Sequence, residues 1–116
     1  MPLSKLADAV TTAEKILKES PFPFSILGHV ADGNFHTFIV TDPAKPEELV
    51  AIRELTHKTT SAIIAMGGTC TGEHGIGAGK IDSLLEEAGE PSVAVMKSIK
   101  AALDPNGILN PGKIFR

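Results

Sequence analysis

Phe24-Ser25-Ile26-Leu27-Gly28-His29-Val30-Ala31-Asp32-Gly33-Asn34-Phe35-His36-Thr37-Phe38-Ile39-Val40 is the stretch that decides the fold. Two runs with period-two apolar character flank Asp32-Gly33, and Asp-Gly between such runs signals a β-hairpin whose two turn residues take positive φ. Phe24, Ile26, Val30, Phe35 and Ile39 fall on one face, the expected core. With Asp32 and Gly33 as the loop, Ala31 faces Asn34, Val30 faces Phe35 and His29 faces His36. Directly opposed residues share a face, with Cβ atoms roughly 4.5–5.5 Å apart. Two imidazoles so placed can each give one ring nitrogen to a common metal ion. Leu27, Ala31, Phe38 and Val40 share their face, an apolar surround suited to a dry site.

Outward from the hairpin, helical periods take over. Leu6, Val10, Ala13 and Leu17 make one apolar stripe over Ser4–Glu19, with Lys5, Asp8, Glu14 and Lys15 off it. Pro21 and Pro23 break that period. A second helix is expected from about Pro46 to Met66, with Leu49, Ile52, Ile63 and Met66 inward and Gly67-Gly68 as its stop. His57 lies at a solvated position of that helix. Short helices are expected over Lys80–Ala88 and Pro91–Leu103. The order is α-β-β-α followed by helices, which predicts one α+β domain over residues 1–116 with helices on one sheet face. Two strands alone make a marginal sheet. It is expected to pair with another copy or to continue in a part of the protein outside this chain.

Composition narrows the function. Eleven Lys+Arg against fourteen Asp+Glu leave a net charge of -3, which argues against general nucleic-acid binding because phosphate neutralisation needs excess cations. No apolar run approaches the ~20 residues of a membrane span. A lone cysteine, Cys70, excludes an internal disulfide and suits a reducing compartment. Together these predict a cytoplasmic protein, at most peripheral to a membrane in its full-length form. Cys70, with no evident base beside it, reads as a packed residue.

The segment from Gly67 to Lys80 holds six glycines, with Glu73-His74 at its centre. Such a loop brings backbone close to something. Adjacent side chains normally point apart, so one of Glu73 and His74 can ligate a metal while the other faces substrate. Two histidines and a carboxylate with open positions suit Zn, Mn or Fe alike. A Walker A loop is excluded because Lys80 is followed by Ile81, and a dinucleotide fingerprint because position 80 is Lys.

Three strings occur in order: Gly28 through His36, Gly67 through Gly79, and Leu103-Asp104-Pro105 followed by Leu109-Asn110-Pro111-Gly112-Lys113. Together they resemble the C-terminal domain of the FAD-linked oxidases, of the D-lactate dehydrogenase (cytochrome) and glycolate oxidase type. The resemblance covers nearly the whole chain. It implies part of a ferredoxin-like cap domain with C-terminal helices, the FAD-binding domain lying upstream in a longer flavoprotein. By position it implies that His29, His36 and Glu73 are metal ligands. His74 would be the base that takes the hydroxyl proton of a D-2-hydroxy acid while hydride passes to FAD, and Asn110 would lie near the flavin. Ala31 stands where many members have glycine. Phe38 stands where 2-hydroxyglutarate-type members carry a polar substrate contact, which argues against a dicarboxylate substrate.

Other readings of the residues are a stand-alone, non-catalytic metal-binding or self-association module, and a small metal-dependent hydrolase using Glu73 or His74 as base. As a piece of a flavoprotein, this chain alone is expected to be inactive and to associate with itself.

Overall fold

The computed structural model describes residues 1–116, which form two compact units, 1–72 and 73–116. In the first unit a 3-10 turn, Leu3–Lys5, leads into α1 (Leu6–Lys18). The hairpin β1 (Phe24–His29) and β2 (Asn34–Ile39) follows, and then α2 (Pro46–Ala65). The second unit holds α3 (Ile81–Leu103) and the C-terminal turns. The architecture is α+β, a two-stranded antiparallel sheet with three helices. No helix is long and apolar enough to cross a membrane.

α1 buries Leu6, Ala9, Ala13, Ile16 and Leu17 and packs on α2, which contributes Ile63 and Thr59. Leu17 is only 1% exposed, and burial of a leucine to that degree stabilises by about 1.5–3 kcal/mol. Val10, placed in the core stripe by its spacing, is only half-buried, and Ala9 and Ile16 take its place. Ala9 and Ala13 are completely buried. Leu49, expected inward on α2, lies at the exposed start of that helix.

α2 opens with Pro46 at its first position and Glu47 and Glu48 in its first turn, favourable at the positive end of the helix dipole. The Glu48 carboxylate accepts from Lys45 Nζ (2.9 Å), the Asp42 amide (3.1 Å) and the Thr41 hydroxyl (3.0 Å). The ammonium first, then the amide and hydroxyl, hold its carboxyl below the usual carboxylate range. At the other end Gly67, at φ 81°, donates to Ile64 O and Gly68 donates to Ile63 O. This pair of bonds is a Schellman cap.

α3 is broken at Gly89, whose φ of 75° and ψ of 159° are open to glycine alone, with Pro91 just beyond. Residues 81–88 and 90–103 are therefore two helical segments, as the sequence spacing predicts. Asp104 ends the second. Its carboxylate accepts from the Ile108 and Leu109 amides, each at 3.0 Å, and from Lys100 Nζ. Lys100 chiefly, then the two amides, hold the Asp104 carboxyl below its ordinary range against the opposing effect of burial. The tail returns to the glycine loop through the Ile114 amide, which donates to Gly77 O at 2.7 Å.

Candidate metal centre

The hairpin departs from the expected register by two residues. Val30–Asp32 form a 3-10 turn, Gly33 sits at φ 69°, and its amide donates to Val30 O at 3.1 Å. The loop therefore runs over residues 30–33. A two-residue turn on Asp32-Gly33 would force the aspartate to positive φ as well, whereas the longer turn asks this only of the glycine. His29 consequently pairs with Asn34, and Leu27, not His29, pairs with His36. Val30, expected in the core face, is in the turn and exposed.

A shift of two preserves which face each residue takes, because side chains alternate with period two. His29 and His36 thus remain on one face as diagonal neighbours. Their ring centroids are 5.9 Å apart and their planes meet at 88°. The His36 ring also lies against Phe38, with centroids 6.4 Å apart. The face is not dry: Leu27 is 60% and Phe38 52% exposed, and Val40 and Ala31 are exposed too. The opposite face, with Phe24, Ile26, Phe35 and Ile39, is the more covered one, as their alternation predicts, although all four are half-buried.

Glu73 lies in the glycine arc. His29 and His36, in the first unit, each offer a ring nitrogen, and Glu73, in the second, offers a carboxylate oxygen. His36 is half-buried and the other two are exposed. Two imidazole nitrogens and a carboxylate oxygen fit a divalent ion of the Zn, Mn or Fe kind, with further positions left open.

Glu73 and His74 do not point apart. The His74 ring nitrogen Nε2 is 3.7 Å from Glu73 Oε1, with the imidazole largely exposed. Asn110 lies in the C-terminal turn at φ 45°, its carbonyl accepting from the Lys113 amide at 3.3 Å. Asn34 is a residue that alternation alone does not single out. It stands opposite His29, and the backbone of Gly72 passes directly against its side-chain amide. Cys70 is buried, in keeping with a packing role.

A family model described as FAD linked oxidases, C-terminal domain, matches residues 1–114. The mitochondrial D-lactate dehydrogenase (cytochrome) of Kluyveromyces lactis is 45% identical over 116 residues, which is 100% of this chain and 20% of that protein. Its namesake in Arabidopsis thaliana is 43% identical over 115 residues, 99% of this chain and 20% of that protein. Glycolate oxidase subunit GlcD of Bacillus subtilis is 35% identical over 115 residues, 99% of this chain and 24% of that protein. The chain spans about a fifth to a quarter of the length of these relatives.

Proposed function

Because the chain belongs to the family of C-terminal domains of FAD-linked oxidases, we propose that it is the substrate- and metal-binding part of an FAD-dependent oxidoreductase acting on a D-2-hydroxy acid. The observation that carries this reading is the pair of imidazoles on one face of the hairpin, His29 and His36 with ring centroids 5.9 Å apart, in a chain that the family matches over residues 1–114. A divalent ion held there supplies a Lewis acid and a template for the hydroxyl and carboxylate of the substrate. FAD, held by a separate domain, supplies the two-electron acceptor that no side chain here provides.

The chain's own residues do the rest. His29 and His36 offer neutral ring nitrogens from the hairpin, and Glu73 offers one carboxylate oxygen. His74 takes the hydroxyl proton as general base, since its imidazole is exposed and stands beside the ligand carboxylate. The exposed rings and chains of Phe38 and Leu27 beside the histidines favour a small apolar substituent, as in D-lactate or glycolate, over a second carboxylate. Asn110, in the C-terminal turn, would help to hold the flavin.

Zinc or manganese uptake by the 116-residue chain tests the ligand set. One equivalent per chain is expected, and none in the His29→Ala/His36→Ala variant; equal uptake by both would defeat the assignment. In the flavin-containing full-length protein, His74→Ala is expected to slow D-lactate reduction of the flavin by roughly 10²–10⁴-fold while leaving metal content intact. A second reading, a self-associating module, draws on the exposed Leu27, Phe38 and Val40 beside two strands that each keep a bare edge. Light scattering decides this point, since a strictly monomeric chain excludes self-association.

A further inference from the structure

We infer that Gly28 is a positioning residue for the imidazole pair. By carrying no side chain it lets β1 and β2 close at the rung it forms with Phe35, and the length of that rung sets the span between the His29 and His36 rings. The inference rests on the reading of those two residues as metal ligands, and it adds one that touches neither ion nor substrate.

Conformation does not require glycine at position 28, since its φ lies outside the left-handed region. Space does, and the obstacle is backbone. A Cβ here would overlap the Asn34 carbonyl oxygen and stand 2.6 Å from Phe35 Cα and 2.8 Å from Phe35 Cβ. Cross-strand Cβ atoms ordinarily lie roughly 4.5–5.5 Å apart. With a carbon–carbon bond of about 1.5 Å, the Gly28 and Phe35 Cα atoms are at most about 4.1 Å apart, closer than the ~4.5 Å of the narrow pairs in a regular ladder. Glycine inside a strand marks such a close backbone approach.

Both imidazoles depend on this rung. His29 follows Gly28 in β1 and His36 follows Phe35 in β2, and in an antiparallel pair this puts them on opposite sides of the rung. The diagonal between them therefore crosses it, and the ring centroids stand 5.9 Å apart. A methyl at position 28 would lie on the sheet face away from both rings, so it could disturb them only by moving backbone. Carbon atoms in contact prefer about 3.5–4.0 Å. Phe35 Cα would have to retreat by roughly 1 Å to reach that range, and the span would widen with it. All of these residues lie within the first unit.

The test is Zn²⁺ affinity of the 116-residue chain, read by competition with a chromophoric chelator, alongside nuclear Overhauser cross-peaks of the metal-free chain. Gly28→Ala is expected to weaken binding by roughly 10–100-fold, the range seen when groups that orient metal ligands are changed. In the same variant without metal, the cross-peaks between His29 and His36 ring protons are expected to weaken. Ile16→Val, a truncation in the α1 core, is expected to lower the melting temperature with affinity and ring cross-peaks unchanged. Wild-type affinity in Gly28→Ala would overturn the inference, as would ring cross-peaks kept at full strength, or an equal loss of affinity in Ile16→Val. If Gly28→Ala does not fold, the wild-type chain decides. Its Gly28–Phe35 Hα cross-peak is expected to be stronger than that of Ile26–Thr37, a rung of the same hydrogen-bonding class two residues away; equal intensity would overturn the inference. A wild-type chain that takes up no zinc, or a His29→Ala variant that takes up as much, would instead remove the ligand reading, while the metal-free cross-peaks still decide whether Gly28 sets the span of the rings.

Discussion

The two units of this chain are stabilised in different ways. In residues 1–72 the buried set is mainly apolar, with Leu6, Ala9, Ala13, Ile16, Leu17 and Ile63 at the junction of α1 and α2. In residues 73–116 the buried residues are Ser83 and Asp104, and no apolar side chain is buried. Val95, Ile99 and Leu103, spaced by four along α3, are all exposed. The first unit has a hydrophobic core of its own; the second keeps its shape through backbone geometry, capping carboxylates and the bond from Ile114 to Gly77. A helix can therefore carry an apolar stripe without that stripe being what fixes it.

The largest effect that would test this contrast is a core truncation. Leu17→Ala is expected to cost about 2–5 kcal/mol in urea unfolding, whereas Leu103→Ala, at a residue 77% exposed, should stay within about 0.5 kcal/mol. Comparable losses at the two sites would erase the distinction. Next comes the break in α3. Gly89→Ala has room for its methyl but not the backbone conformation, so a cost of about 1–3 kcal/mol is expected. An increase in helical circular dichroism with no loss of stability would show that the kink is not required. The smallest effect is electrostatic. The Asp104 carboxyl has a folded-state pKa below its unfolded one, so its contribution is complete above the ordinary aspartate value of about 3.9 and is lost as pH falls through the lower folded value. The Ile108 and Leu109 amide resonances should therefore hold steady through pH 4 and move only below it. Titration at or above the ordinary value would mean that Lys100 and these amides do not stabilise the anion.

Much of this is legible in the residues. Leu6, Ala13 and Leu17 mark α1 because a 3.6 period has few other uses, and Gly67-Gly68 mark the end of α2 because the Schellman cap needs positive φ at Gly67. The register of the hairpin is not legible. Asp32-Gly33 looks the same whether it forms a two-residue turn or closes a longer one, and the choice depends on the cost of positive φ at Asp32. Exposure is not legible either. Alternation separates the face of Leu27 and Phe38 from that of Ile26 and Phe35, but it does not say which surface finds a neighbour. Within the candidate site, the types and spacing of His29, His36 and Glu73 are enough to single them out. The closeness of Asn34 to Gly72 escapes such a reading because the two stand 38 positions apart in the chain.

The turn at Val30–Gly33 also sets what sequence drift this hairpin can absorb. Lengthening or shortening it by an even number of residues would slide the partners along one another yet keep His29 and His36 on a common side. An insertion or deletion of a single residue that slips the register by one would send one imidazole through to the opposite side of the sheet. Loop grafts and natural indels here should therefore be tolerated in pairs and rejected singly, a constraint on length that comes from pleating and not from any particular side chain.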